Sequence, residues 1–264
     1  MGGTVADSGI RVVVCGATGR MGSETVRAVT ESGQFTLSGV VVRRPDAYIG
    51  TVPAFASLKQ ALESVRPQCI VDFTNAEVAL TFGLAALGQN IPFVTGTTGL
   101  TPNQVRQLND ASAARQVGCV VAPNFAIGAV LAMHFAATAA RFFSWAEIIE
   151  LHHERKADAP SGTALATARA MVAARGQPFD QTEVMKQTLP GTRGGETGGV
   201  HLHSVRLPGL VAHQEVLLGG PGEVLTIRHD SLQRSSFMPG VLLAIRWALE
   251  HGEFVNGLGP VLGL

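Results

Sequence analysis

A chain of 264 residues, 46% hydrophobic and 15% charged, has room for one large domain or two ordinary ones and enough apolar material for a substantial core. Formal net charge is zero and no basic stripe interrupts the sequence, which argues against nucleic acid and membrane surfaces as partners and for small-molecule chemistry. No apolar run approaches the ~20 residues that span a bilayer.

The start, MGGTVADSGI, has neither the apolar core of a secretory leader nor an Arg-rich transit pattern. Its Met-Gly-Gly matches a myristoylation start only loosely, without a second lipid signal. Cys15, Cys69 and Cys119 each sit in or beside an apolar run and read as small buried hydrophobes, not as a disulfide framework or a metal site. A cytoplasmic location, or the plastid stroma for a processed chain, suits free thiols.

The first half alternates strand-like and helix-like stretches. Ile10 to Cys15, Phe35 to Val42, Cys69 to Phe73, Pro92 to Thr95 and Gly118 to Ala122 read as strands. Between them Arg20 to Ser32, Leu58 to Val65, Glu77 to Gln89 and Pro102 to Arg115 read as helices. Short continuous apolar strands separated by helices predict a doubly wound, Rossmann-like α/β domain with a parallel sheet covered on both faces.

Gly16-Ala17-Thr18-Gly19-Arg20-Met21-Gly22 falls at the first strand-to-helix junction. Glycines there allow a tight turn, close approach of a pyrophosphate and close helix-strand packing, so this is the predicted dinucleotide site. The second strand ends in Arg43 and Arg44, where an NAD-selective site would carry an acidic residue. Guanidiniums there favour a 2′-phosphate, hence NADPH over NADH, with NADH still usable. Two further strand ends, Gly96-Thr97-Thr98-Gly99 and Ala122-Pro123-Asn124-Phe125, fall at the carboxyl edge and can contact the nicotinamide half.

The pattern changes after Pro123. A helix from about Ile127 to Phe142, a strand ending at His152 and a helix ending near Arg175 lead into a Gly-rich loop, Gly191 to Gly199. Strands follow at Val200 to Leu207, His213 to Leu218 and Val224 to His229, the last two joined by the turn Gly219-Gly-Pro-Gly222. This predicts an α+β domain with a mixed, largely antiparallel sheet whose helices cover one face, leaving the other as a candidate subunit contact. A last helix, Pro239 to about Glu250, carries an apolar stripe and stops at Gly252. The expected division is 1–124 for the dinucleotide domain and 125–235 for substrate binding and oligomerisation, with 236–264 a closing helical segment.

The segment His152 to Thr163, HHERKADAPSGT, carries the densest chemistry. Two imidazoles, the ammonium of Lys156 and a helix start at Ser161-Gly162-Thr163 suit the binding and protonation of a small dianion. The first N–H groups of the helix and the hydroxyls of Ser161 and Thr163 can point at a carboxylate. Adjacent strand residues face opposite ways, so His152 and His153 share a task only if the strand ends between them.

With these motifs in hand the chain resembles the dihydrodipicolinate reductase (4-hydroxy-tetrahydrodipicolinate reductase) family. The resemblance runs from about Arg11 through GATGRMG, VDFT, GTTG, APNF, ELHH, KADAPSGTA, RLPGLVAHQEV and RHDS. It implies NAD(P)H-dependent reduction of a cyclic dicarboxylate in diaminopimelate and lysine biosynthesis: hydride goes to C4 after the 4-hydroxyl leaves as water, and a proton follows. It also implies that His152 is the acid/base residue and Lys156 the proton donor. His153, Gly162 and Thr163 would bind substrate with Ser161 close by, and Gly16 to Met21, Gly96 to Thr98 and Ala122 to Phe125 would line the cofactor. A homotetramer meeting through its C-terminal sheets, with the final helix packed back on the nucleotide domain, is implied as well. Two departures stand out. Arg155 replaces a histidine common in relatives beside Glu154, so both side chains should point away from an anion site; and Val42 replaces an acidic residue that lets some relatives use NADH readily.

Competing chemistry is weaker. An aspartate-pathway aldehyde dehydrogenase needs a nucleophilic thiolate at a helix start, where none of the cysteines lies, and a non-catalytic NADP sensor would not need both His152 and Lys156. His201 and His203 share a strand face but lack a carboxylate or thiol partner nearby in sequence, so no metal site is expected. His134 reads as a packed residue, and Arg206 and Arg234 as lesser anion contacts.

Overall fold

A computed structural model describes residues 9–264; the features read from the first eight residues lie outside it. Twelve strands form: β1 (Ile10–Cys15), β2 (Phe35–Val41), β3 (Ala54–Phe55), β4 (Cys69–Asp72), β5 (Phe93–Thr95), β6 (Cys119–Val121), β7 (Trp145–His152), β8 (Gly195–Thr197), β9 (Val200–Arg206), β10 (Ala212–Gly220), β11 (Glu223–Ser231) and β12 (Phe254–Asn256). Seven α-helices accompany them: α1 (Arg20–Glu31), α2 (Leu58–Val65), α3 (Ala76–Gly88), α4 (Pro102–Arg115), α5 (Ile127–Ala139), α6 (Gly162–Arg175) and α7 (Met238–Glu250). The chain divides into two compact units, one made of the described residues up to Phe125 with Phe237–Leu264, the other of Ala126–Ser236.

In the first unit seven strands pair in the order β12-β6-β5-β4-β1-β2-β3, every pairing parallel. The apolar runs make this possible: Val12, Val13, Val14, Cys15, Ile70 and Val71 are fully buried, as strands covered on both faces must be. Helix starts are set locally. Ser57 and Asn75 cap α2 and α3 by accepting from the N–H of Gln60 and Val78, and Thr101 with Gln104 forms a capping box on α4. Two edge strands, β3 and β12, escape sequence reading because two or three residues carry no period. The strand order reverses between β1 and β4, and this switch point opens a crevice at the carboxyl edge of the sheet.

The second unit is a mixed sheet in the order β11-β10-β7-β9-β8, antiparallel except where β7 runs parallel to β9. β10 and β11 form a hairpin with Gly220 opposite Glu223, so the expected turn tightens to Pro221-Gly222, with Gly222 at positive φ. The stretch expected as a loop, Gly191 to Gly199, contains β8, an edge strand held against β9. Strand alternation sends Ala146, Ile148, Val216 and Leu218 toward a core shared with Ala136, Ala164, Ala168 and Met171 of α5 and α6. The opposite face carries ionic clusters: Glu147 with Arg193 and His203, and Arg228 with Glu215 and Asp230.

Phe93 of β5 is fully buried in the first unit's core, whereas Leu84 of α3 is exposed. Phe93→Ala should therefore lower unfolding stability by about 3–5 kcal/mol and Leu84→Ala by less than about 1 kcal/mol, measured by urea denaturation; equal losses would contradict the assigned core.

Candidate active site

The first unit holds a cavity of about 360 Å³ at the sheet's carboxyl edge. Arg20 and Met21 line it after β1, Phe73 and Thr74 after β4, Gly96, Thr97 and Thr98 after β5, and Pro123, Asn124 and Phe125 after β6, with Phe237 closing one side. Gly16, Ala17, Thr18, Gly19 and Ala122 form the turns and strand ends behind these residues and do not line it; Ala17 and Ala122 are buried. Arg43 and Arg44 are exposed just beyond β2, and Gly16 N–H bonds the carbonyl of Val41 in that strand.

The glycine turn fits a dinucleotide. Gly16 takes φ +77° with the Phe73 carbonyl against it, and a Cβ on Gly22 would collide with the Gly16 carbonyl. Only glycine lets the turn fold this close to the start of α1, where backbone N–H groups are free to receive phosphate oxygens.

Beneath the cavity sits a residue that sequence reading did not single out. Asp72, fully buried at the end of β4, accepts hydrogen bonds from three threonine hydroxyls: Thr74 at 2.6 Å, Thr97 at 2.7 Å and Thr95 at 2.9 Å. Burial raises its pKa above 3.8, and the threonine bonds only partly offset that rise. Thr74 and Thr97 also line the cavity, so the carboxylate ties two of its walls together. The signal was present in VDFT, an acidic residue ending an otherwise apolar strand.

In the second unit the strand ends at His152, so His153 turns away into the loop. There its Nδ1 accepts from Arg155 N–H at 3.2 Å. His152 Nδ1 lies 2.5 Å from Oε2 of Glu150, two residues earlier on the same strand face and fully buried. The guanidinium of Arg206, from β9 opposite His152, donates to both oxygens of Glu150 at 2.8 and 2.7 Å. The same carboxylate accepts the N–H of Ser161 at 3.1 Å. Burial pushes the Glu150 pKa up, but the bonds from His152, Arg206 and Ser204 outweigh it and hold the group at about 2.

These contacts correct one expectation. Arg206 is not a free anion contact, because its charge is spent on Glu150 and on the carbonyl of Asp158. The Ser161 hydroxyl oxygen caps its own helix by accepting from Ala164 N–H at 3.2 Å, which leaves its O–H to donate.

Gly162 and Thr163 remain as open first-turn positions. A Cβ at Gly162 would meet nothing within 4 Å. Lys156 Nζ lies 2.7 Å from Asp158 Oδ1 and is partly exposed, so the ammonium at this loop is paired, not bare. Glu154 and Arg155 pair with each other in solvent.

The carboxylate missing from the sequence reading of His201 and His203 is Glu147, which reaches His203 Nε2 at 2.8 Å, while His201 Nδ1 contacts the Arg193 carbonyl. Among the described residues no group of three or more His, Cys, Asp or Glu could hold a metal ion. All three thiols are fully buried, and burial pushes each of their pKa values up, which does not suit a nucleophilic cysteine.

A glycine turn on a parallel switch point, joined in one chain to a cationic, histidine-bearing helix entrance, defines a nicotinamide-dependent oxidoreductase. Comparison with known proteins narrows this. The N-terminal model of dihydrodipicolinate reductase matches residues 10–125 and the C-terminal model residues 128–262. The 4-hydroxy-tetrahydrodipicolinate reductase of Dehalococcoides mccartyi strain CBDB1 is 42% identical over 263 residues, covering 97% of this chain and 99% of the relative. That of Moorella thermoacetica is 46% identical over 262 residues, 96% of this chain and 98% of the relative. A dipicolinate-bound dihydrodipicolinate reductase from Paenisporosarcina sp. TG-14 superposes with a TM-score of 0.89 at 40% identity, covering 96% of this chain and 99% of that one. The chain belongs to the dihydrodipicolinate reductase family: it is an NAD(P)H-dependent oxidoreductase that reduces 4-hydroxy-tetrahydrodipicolinate to tetrahydrodipicolinate in diaminopimelate and lysine biosynthesis.

Asp72 supplies a pH test. Its folded pKa is raised, so the ionised group costs stability above that pKa, and the cost is relieved as pH falls through it. In urea denaturation from about pH 7 to about pH 4, wild type should gain stability relative to Asp72→Asn as pH falls; a difference independent of pH would contradict the uncompensated burial of this carboxylate.

Proposed function

We propose that the first unit carries the cofactor site and the second the substrate and proton-handling groups, with His152 as acid/base residue and Lys156 as proton donor. The observation that carries this reading is the convergence, within one strand-loop-helix segment, of a carboxylate-backed imidazole, an ammonium and an open helix N-terminus. A ring bearing two carboxylates needs donors for both. The first-turn N–H groups of Gly162 and Thr163 suit one, and Lys156 and His153 the other, with Ser161 holding the turn in place. In this reading the substrate carboxylate displaces Asp158 from Lys156, exchanging one partly exposed ion pair for another at little cost.

Reduced nicotinamide supplies the hydride when bound. The Gly16 to Met21 turn receives the dinucleotide phosphates at the start of α1, through those of its N–H groups that the Val41 and Gly16 carbonyls do not already hold. Gly96, Thr97, Thr98 and Pro123 to Phe125 wall the reacting end with Ala122 buried behind them, and Phe73 and Phe125 in edge contact, ring centroids 5.9 Å apart, exclude water from it. His152 exchanges the proton at the reacting ring with its Nδ1 held against the Glu150 carboxylate, and Lys156 serves as the proton donor beside it.

We further propose a preference for NADPH over NADH. Arg43 and Arg44 extend past β2 with no side-chain hydrogen bond or ion pair among the described residues, and the preceding Val42 is apolar and buried, so the end of β2 offers a 2′-phosphate cations where an acidic residue would select NADH. The sheet face away from α5 and α6, with its ionic clusters, supports assembly as a homotetramer, and three free buried thiols support a cytoplasmic or stromal setting.

The reaction is tested by NADPH oxidation on addition of the condensation product of pyruvate and aspartate semialdehyde: turnover that depends on that compound is expected, and its absence would overturn the reading. His152→Ala and Lys156→Ala should each lower kcat by roughly 10²-fold or more with little change in NADPH affinity; wild-type rates would remove the assignment. The double change Arg43→Ala with Arg44→Ala should raise the Kd of NADPH more than that of NADH, measured by fluorescence titration, and equal losses would refute the 2′-phosphate role.

A further inference from the structure

We propose that Glu150 is the positioning residue of the proton-transfer site: its carboxylate holds the Nδ1–H of His152 so that Nε2 is the nitrogen presented to substrate, and the same carboxylate fixes the helix start at Ser161. This rests on the assignment of His152 as the acid/base residue.

The geometry is specific to these partners. Glu150 and His152 are two apart on β7 and therefore project from one face, and only there can a carboxylate reach the nearer ring nitrogen, at 2.5 Å. With Nδ1–H donated to Glu150, the far nitrogen is left to carry the mobile proton, and the negative charge stabilises the imidazolium that must exist before transfer. Oε1 meanwhile accepts the Ser161 N–H, so one buried group sets both the imidazole and the entrance to α6. Oxygen positions are not free to wander, because Arg206 grips both at 2.7 and 2.8 Å.

That grip also fixes the division of labour. Arg206 and the hydrogen bonds keep Glu150 anionic down to about pH 2, so the carboxylate acts as an acceptor and not as a proton carrier. Around His152 the charged and titratable groups are Glu150 on its own strand, Arg206 on β9, and His153, Lys156 and Asp158 in the following loop. β10 places Ala212 and Gln214 opposite His152 and Glu150, and the first turn of α6 has no acidic side chain. Glu150 is thus the anion in direct contact with the ring, and Arg206 the cation behind it.

Glu150→Gln keeps the shape and removes the charge. It should lower kcat by about 10²-fold and move the alkaline limb of the kcat/KM profile to lower pH, because the imidazolium loses its anion and still faces Arg206. The Kd of NADPH should not change, and Glu150→Asp should recover part of the rate. An unmoved limb with wild-type kcat overturns the proposal when His152→Ala is slow; if His152→Ala is itself fully active, the underlying acid/base assignment has failed instead. Should Glu150→Gln not fold, ¹⁵N imidazole shifts of the wild-type protein decide: His152 protonated at Nδ1 in its neutral form is expected, and the Nε2-protonated tautomer overturns the proposal.

Discussion

A single buried carboxylate ties together three elements of the second unit. Glu150 has no exposure to solvent, and an ionised group in such a place is stable only with good partners in good geometry. It has them from three directions: a strand neighbour's imidazole, a bidentate guanidinium from β9 and the N–H at the start of α6. Removing Arg206 would leave the charge uncompensated, and a bulky apolar residue at 150 would lose the strand-to-helix link. The mixed sheet matters because it supplies this convergence: β7 brings Glu150 and His152, and its parallel neighbour β9 brings Arg206 into register with His152.

The first unit uses a different constraint, close backbone approach. Its parallel strands end together at one edge, and the turns leaving β1, β4, β5 and β6 converge around one cavity. Glycine keeps the first turn low, while Asp72 and three threonine hydroxyls knit the β4 and β5 ends from below. A desolvated carboxylate without a cation partner among the described residues is expensive to keep, and what Asp72 provides in return is a tie between two walls of the cavity through Thr74 and Thr97. The proposed function divides the task between the units by physical means: backbone amides at a helix start for phosphates in one, paired charges and a helix start for carboxylates in the other.

Most of the fold was legible in the chain. Val12 to Cys15 and Cys69 to Asp72 are continuous apolar runs because both sheet faces are covered, and the helices between them announce themselves by caps at Ser57, Asn75 and Thr101. β3, β8 and β12 were not legible, since their pairing comes from neighbours and not from their own two or three residues. In the proposed site, His152, Lys156 and Ser161 to Thr163 stand out from the chain because they are close in sequence. Glu150 could not be separated from Glu147 by composition, although three residues apart on a strand they face opposite ways and one had to be buried. Arg206 was misread for the same reason: its partner is 56 positions away.

The central claim is that a dicarboxylate is held at the entrance to α6 by this set of groups. A crystal structure of the protein with NADPH and pyridine-2,6-dicarboxylate tests it most directly. One carboxylate should accept hydrogen bonds from the N–H groups of Gly162 and Thr163 and the other should contact Lys156, with the His152–Glu150 contact intact. A ligand bound away from His152, His153 and the first turn of α6 would contradict the account.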